Sequence, residues 1–197
     1  MLSRFAPRKI LLYDPDIIEL SNMAGQFYRF EDVGRTKVDA ISRSVSEYSN
    51  FYNTVTIYDR FNRGSEVSDI VVSCLDNMQS RKSVFDAWCR HVNNSLNKEE
   101  CLFIDGRLAA ETLQIFAVQG NEPSSFTRYK NTLFNDYEAD TEVCSYKQTS
   151  FMANMIGSLI ANVFVNFVAS KESIGVLREI PFKIEYMAEP MWLKIDM

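Results

Sequence analysis

The sequence predicts an α/β fold in which helices cover a mostly parallel sheet. Three short apolar runs, KILLYD, SDIVVSCL and CLFI, each end in an acid or are followed by one, and such runs are typical of strands buried in a parallel sheet. Helical spacing of apolar residues follows the first two runs, and strands that alternate with helices favour parallel pairing. A chain of 197 residues has the length of about one domain.

The first half of the chain contains the repeated strand and helix pattern. Residues 9–14 predict a buried strand, and the β-branched run 68–75 predicts a strand that is buried on both faces. Apolar residues at helical spacing predict amphipathic helices over 35–48 and 78–92. The alternating segment 54–58 predicts a further strand.

The second half predicts two strands, a polar segment, a long helix and two short strands. The strands are expected at 101–104, closed by Asp105, and at 112–119, and a short helix at 126–133 lies in the polar segment. Residues 151–169 carry no charge, but the asparagines among them favour a buried core helix over a membrane span. The two terminal strand candidates are 182–186 and 191–195.

Composition excludes several classes of protein. The net charge of -5 argues against a nucleic-acid binder. The four cysteines form no C-x-x-C pair and there is one histidine, so a structural zinc site with four clustered ligands is not expected. Free thiols suit a reducing compartment, and we therefore expect a cytoplasmic protein with no membrane partner.

Acidic side chains follow three of the predicted strands. Asp14, Asp76 and Asp105 each come at the end of an apolar run. Ligands gather at the carboxyl ends of parallel strands, so a polar site is expected there. Each acid taken alone is equally compatible with an ordinary loop or helix cap.

An ordered set of motifs carries more information than any of its parts. Asp14-Pro15-Asp16 is followed by Glu19, Asn22 and Gln26, then by Gly34-Arg35-Thr36-Lys37, and later by Asp76-Asn77-x-x-x-Arg81. This set, over residues 9–170, resembles the ThiF-type adenylyltransferases, which include ubiquitin-activating enzymes and activators of sulfur-carrier proteins. Within that superfamily the chain is most similar to members encoded by phages or mobile elements.

The resemblance implies a function and a role for each matching residue. In this family the C-terminal carboxylate of a carrier protein attacks ATP, and the products are an acyl-adenylate and pyrophosphate. The implied roles are ribose binding by Asp14, with Asp16 nearby, phosphate neutralisation by Lys37, and magnesium binding by Asp76. Asn22, Gln26 and Asn77 match polar residues around the nucleotide, and Arg81 matches a motif arginine whose role is nucleotide binding or structural.

Two departures from the family pattern affect the expected activity. The sequence contains no G-x-G-x-x-G loop, and Gly25 stands where the family has an arginine. The resemblance therefore implies a Rossmann-like sheet without its first βα unit, with antiparallel C-terminal strands. A truncated record, a partner or homodimer that supplies the other half, and a degenerate interaction protein are the three explanations. In each case the isolated chain is expected to be inactive.

A single, incomplete ThiF-type domain over 1–197 is the organisation that this resemblance implies. It divides into a nucleotide-binding part at 1–119, a crossover loop at 120–150, and the core helix with C-terminal strands at 151–197. Cys144-Ser145, just before the core helix, is similar to the acceptor cysteine of ubiquitin-activating enzymes; an unreactive loop cysteine is the alternative. Cys74, Cys89 and Cys101 are predicted to be core residues.

Overall fold

Two compact units make up the protein, and they are described here one at a time. The computed structural model describes residues 1–5, 7–109, 111–135, 150–172 and 178–197. The first unit is Met1–Phe61 and the second is Asn62–Met197. The described residues contain four short 3-10 helices: Leu2–Phe5 precedes the first strand, and Leu20–Ala24, Phe30–Asp32 and Lys98–Glu100 lie in connections between longer elements.

The first unit is a β–α–β arrangement with two parallel strands. Strand β1 (Ile10–Tyr13) pairs with β2 (Thr54–Ile57), and helix α1 (Lys37–Ser49) connects them. The predicted helix began at residue 35, two residues before the observed start. The backbone is still extended there, because Ile17 and Thr36 form a β-bridge. The Thr36 hydroxyl then caps α1 by accepting a hydrogen bond from the Asp39 amide.

A five-stranded mixed sheet forms the second unit. Its strands are β3 (Ile70–Ser73), β4 (Leu102–Ala109), β5 (Thr112–Gln119), β6 (Lys183–Met187) and β7 (Trp192–Asp196), and they lie in that order. The β3–β4 pair is parallel, and the other three pairs are antiparallel. The predicted α/β class and antiparallel C-terminal strands are confirmed. In the part of the chain that the structure describes, parallel pairing is limited to the two pairs whose strands a helix connects.

Helices α2 (Met78–Asn94), α3 (Pro123–Lys130) and α4 (Ser150–Glu172) complete the second unit. By length and composition alone, α4 is apolar enough to span a membrane over Ser150–Lys171. However, Met152, Val163 and Phe167 are buried in one core cluster with side chains of β4 and β5. The interpretation of this segment as a core helix therefore agrees with its packing.

The prediction that residues 68–75 form a strand buried on both faces is wrong. The observed strand β3 covers only Ile70–Ser73, Val72 is 37% exposed, and Cys74 is also exposed. The reason is that β3 pairs with β4 on one side and, among the described residues, with no strand on the other. Cys74 is therefore not a core residue, and Cys89 is only partly buried, whereas Cys101 is fully buried as predicted.

The predicted end of β4 at Asp105 is also wrong. The strand continues through Asp105 to Ala109, and Asp105 is fully buried. Its carboxylate accepts hydrogen bonds from the Arg81 guanidinium, from Arg107 Nε at 2.8 Å and from the Tyr129 hydroxyl at 3.0 Å. A carboxylate inside a strand is tolerated here because two cations and a hydroxyl replace the water that it loses.

Removing the charge of Asp105 should unfold the second unit at a lower denaturant concentration. We expect Asp105→Asn to lower the free energy of unfolding by about 3–5 kcal/mol, because it leaves the buried guanidinium group of Arg81 and the partly buried one of Arg107 uncompensated. Asp196→Asn is the matched control, since Asp196 is half-exposed and pairs with Arg128; it should cost less than about 1 kcal/mol. Both tryptophans, Trp88 and Trp192, lie in this unit, so tryptophan fluorescence in urea measures the difference. Equal shifts for the two variants would contradict this account of the core.

Candidate functional site

Three of the predicted site residues meet at the end of β1 in the first unit. The Asp14 side chain follows this strand and accepts a hydrogen bond from the Asp16 amide at 2.8 Å. The Asp16 carboxylate in turn accepts from Lys37 Nζ at 2.7 Å, and its carbonyl accepts from the Lys37 amide at 3.0 Å. Lys37 opens helix α1, so two acids that follow the strand end and one cation at the helix start are brought together.

The Lys37 side chain is placed to hold its ammonium group near solvent. This side chain is 12% exposed, whereas that of its partner Asp16 is 58% exposed. Most of the Lys37 side chain is therefore packed, and its charged end lies beside the exposed carboxylate of Asp16. An exposed ion pair of this kind contributes little to stability, so the ammonium group can exchange Asp16 for another anion at low cost.

Tyr28 belongs to the same cluster although the sequence analysis did not select it. Burial, together with the nearby charges of Asp14, Asp16 and Asp32, raises the pKa of Tyr28 to about 12. The hydroxyl group is therefore neutral near pH 7 and available as a hydrogen-bond donor. No sequence signal marked it, because it is one of three aromatic residues close together in a turn-rich segment and belongs to no motif.

Asn22 and Gln26 occupy the 3-10 helix and turn that follow. The Asn22 side chain accepts a hydrogen bond from the Glu19 amide at 2.9 Å, and its carbonyl accepts from the Gln26 amide at 2.9 Å. Asn22 thus shapes this turn. Arg29, the cation nearest to Gly25 in the sequence, forms ion pairs with Glu47 and Glu31.

The second group of predicted residues lies between β3 and α2 in the second unit. Asn77 is the N-cap of α2, where its side-chain oxygen accepts from the Ser80 amide at 2.8 Å. The amide nitrogen of the same side chain donates to the Asp76 carboxylate at 2.9 Å. Asp76 is exposed, and an exposed carboxylate at a strand end suits a hydrated Mg²⁺ ion.

Arg81 is buried and connects this loop to the core. Its guanidinium group pairs with Asp105 and donates to the Gly106 carbonyl at 3.1 Å. It also donates to the carbonyl of Leu75, the residue directly before Asp76. In the D-N-x-x-x-R motif, Asn77 therefore caps the helix and Arg81 fixes the backbone that carries Asp76.

Cys144, the remaining candidate, lies outside the described residues. The structure therefore describes two groups of predicted site residues, one in each unit. The first contains Asp14, Asp16, Asn22, Gln26 and Lys37, and the second contains Asp76, Asn77 and Arg81.

A polar cluster that the sequence analysis missed lies at the amino ends of β3 and β4, whereas Asp76 follows the carboxyl end of β3. His91 Nε2 is 2.7 Å from Asp69 Oδ1, and the Cys101 sulfur is 3.8 Å from the same oxygen. Asp69 precedes β3 and Cys101 precedes β4, and the register that pairs Ile70 with Leu102 brings them together. Burial raises the pKa of the Cys101 thiol. This cluster could have been found from the sequence only by pairing the two predicted strands in parallel register, because its residues form no motif along the chain.

Comparison with known proteins identifies relatives for most of the chain. The sequence profile of the ThiF family matches residues 1–186. Ubiquitin-like modifier-activating enzyme 5 of Culex quinquefasciatus is 30% identical over 110 residues, which are 47% of this chain and 28% of that enzyme. The enzyme of the same name from Oryza sativa is 35% identical over 106 residues, or 44% of this chain and 25% of that enzyme. The matched region thus spans between a quarter and a third of these relatives.

Solved structures show the same fold at low sequence identity. The microcin C7 biosynthetic enzyme MccB, in complex with N-formylated MccA, has a TM-score of 0.67 at 16% identity, over 95% of this chain and 57% of that chain. E. coli MccB with ATP has a TM-score of 0.65 at 15% identity, over 95% and 55%. PaaA has a TM-score of 0.63 at 13% identity, over 93% and 62%.

Proposed function

Because the chain belongs to the ThiF family, we propose that it takes part in the ATP-dependent activation of a carboxylate on a ubiquitin-like or sulfur-carrier protein. The match of the family profile to residues 1–186 is the observation that carries this proposal. The enzymes named above as relatives activate ubiquitin-like modifiers, and one MccB structure contains ATP. Adenylyl transfer to a carboxylate is the reaction class that fits both.

The loop after β1 supplies groups that suit a nucleotide. In the proposal Asp14 accepts hydrogen bonds from the ribose hydroxyls, and Asn22 and Gln26 add polar contacts nearby. Lys37 neutralises charge on the phosphates. Its ion pair with Asp16, at 2.7 Å and exposed to solvent, is a resting contact that a phosphate replaces.

The loop after β3 supplies the proposed magnesium ligand. Asp76 is exposed, and Asn77 orients its carboxylate by donating a hydrogen bond at 2.9 Å. Mg²⁺ is usually held by one or two carboxylates together with substrate phosphates, which fits a single acid here. A bound Mg²⁺ ion would supply charge neutralisation on phosphate oxygens. Arg81 acts through the backbone of this loop, as a positioning residue.

The further parts of the proposal come from the resemblance to ubiquitin-activating enzymes. Cys144, outside the described residues, is the proposed acceptor of the activated carrier as a thioester. The carrier protein is the proposed partner, together with a second copy or another chain. Cys74, Cys89 and Cys101 are free thiols, which agrees with a cytoplasmic location.

Neutralising Lys37 should weaken nucleotide binding. We expect Lys37→Gln to lower the affinity for Mg·ATP at least about tenfold, because a hydrogen bond to a charged group contributes about 1.5–3 kcal/mol. Isothermal titration calorimetry measures this affinity directly. Lys194→Gln is the matched control, since Lys194 is an exposed lysine on β7, and it should bind as the wild type does. Equal affinities for Lys37→Gln and the control would exclude Lys37 from the site.

The second candidate function is that of a non-catalytic interaction protein, and two departures from the family's phosphate-binding pattern favour it. Its 197 residues contain no G-x-G-x-x-G loop, and Gly25 stands in place of the family arginine. Glycine-rich loops let backbone N–H groups contact phosphates directly. Loss of one such donor costs about 2.7–4 kcal/mol of transition-state stabilisation in the nearest measured analogue.

The 197-residue chain should therefore fail to catalyse ATP–pyrophosphate exchange by itself. The assay follows labelled pyrophosphate into ATP, with a ubiquitin-like protein and then a sulfur-carrier protein supplied as the acceptor. We expect rates at least roughly 10² below an ordinary enzyme turnover of about 10 s⁻¹. Exchange near that ordinary rate would refute the need for a separate phosphate-binding loop.

A further inference from the structure

We propose that Asp69, His91 and Cys101 form a binding site for a single Zn²⁺ ion in the second unit. Their candidate ligand atoms, a carboxylate oxygen, a ring nitrogen and a sulfur, all lie within 4.8 Å of one another. The site is separate from the proposed nucleotide site, and it rests on different residues. It therefore stands or falls independently of the proposed function.

The separation of the sulfur and oxygen ligands is close to that of a tetrahedral site. Zinc bonds of about 2.3 Å to sulfur and about 2.1 Å to oxygen place these two ligands about 3.6 Å apart. The observed separation of the Cys101 sulfur and Asp69 Oδ1 is 3.8 Å. His91 Nε2, now 2.7 Å from the same oxygen, has to move away by about 0.7 Å to reach tetrahedral spacing.

Rigid backbone holds two of the three ligands. The Asp69 carbonyl accepts hydrogen bonds from the Trp88 indole and from the Leu102 amide, both at 3.0 Å. The Cys101 carbonyl accepts from the Gly120 amide at 2.8 Å. Gly120 is needed for this approach, because a Cβ there would lie 2.5 Å from the Lys98 carbonyl. The backbone positions of Asp69 and Cys101 are therefore set, and the movement that zinc requires of His91 is a side-chain movement.

The donor set selects the class of metal. A thiolate, an imidazole and a carboxylate together suit zinc, whereas Mg²⁺ and Ca²⁺ prefer oxygen ligands alone. Cys101 is fully buried, while the His91 and Asp69 side chains are 32% and 56% exposed. One side of the cluster therefore faces solvent, and a water molecule completes the four ligands. Binding replaces the thiol proton of Cys101, which is released to solvent.

The bland alternative is an ion pair between His91 and Asp69 beside a buried, inert thiol. In that case the cluster has no affinity for metal beyond that of any exposed carboxylate. The two interpretations differ in one measurable respect, which is whether the sulfur of Cys101 bonds to the metal.

Cobalt substitution tests this bond directly. The metal-free 197-residue chain is titrated with Co²⁺ alone and followed by absorption spectroscopy. We expect one equivalent to produce a thiolate-to-cobalt charge-transfer band with tetrahedral ligand-field bands, and Zn²⁺ to displace it. Cys101→Ser should abolish the charge-transfer band, and His91→Gln should weaken Co²⁺ binding at least about tenfold.

Matched variants keep the test decisive. Cys74→Ser and Cys89→Ser remove the other described thiols and should leave the spectrum unchanged. Circular dichroism establishes that each variant is folded; if Cys101→Ser is not, the charge-transfer band of the wild type reports the sulfur bond, and an unchanged Co²⁺ affinity in His91→Gln overturns the site. No charge-transfer band in the wild type, or a band that survives Cys101→Ser, would overturn the proposal.

Discussion

The buried carboxylate of Asp105 is the interaction on which the second unit depends. An ionised acid inside a strand loses its hydration, and this cost is offset only when several partners replace the water. Arg81, Arg107 and Tyr129 supply those partners from α2, β4 and α3. The same groups extend the connection outward, because Arg107 also donates to the Thr132 carbonyl at 3.1 Å. One buried charge thus joins two helices to the sheet.

The same hydrogen-bond network fixes the position of the loop that carries Asp76. Arg81 donates to the Leu75 carbonyl as well as to Asp105, so the end of β3 is tied to the middle of β4. The D-N-x-x-x-R motif at the start of α2 therefore combines an exposed acid with a buried structural arginine. The acid, Asp76, is exposed to solvent, whereas the arginine, Arg81, holds the surrounding backbone in place. This explains why a buried arginine accompanies an exposed acid in the motif without contacting it.

The sequence predicted the positions of the helices and strands better than the burial and pairing of their residues. Strand β5 has the predicted bounds of 112–119, because this alternating segment pairs with β4 on one side and with β6 on the other. Strand β3 has an equally apolar sequence, but Val72 is exposed because pairing partners are a property of the fold and not of the run itself. Asp105 misled the analysis for a related reason. An acid after an apolar run predicts a strand end, and only the distant Arg81 and Tyr129 make it an interior residue.

The candidate sites show the same limit. Asp14 and Lys37 were found through an ordered motif, whereas Tyr28 had no motif to mark it. The Asp69, His91 and Cys101 cluster depends on the register of β3 and β4, which no spacing rule for paired cysteines detects. Helix α2 separates this cluster from Asp76, since Asn77 caps one end and His91 lies in its last turn. At 1.5 Å per residue the separation is roughly 20 Å, so a metal at His91 would stabilise the unit and take no direct part in chemistry at Asp76.

The central proposal, that the chain binds a magnesium nucleotide, is tested most directly by nuclear magnetic resonance. Mg²⁺ with a non-hydrolysable ATP analogue is titrated into the isotope-labelled chain, and the backbone amide signals are followed. The account predicts saturable shifts at Asp16, Lys37 and Asp76, with the Asp69 and His91 signals unchanged. Saturable shifts confined to other residues, or no shifts at saturating nucleotide, would contradict it.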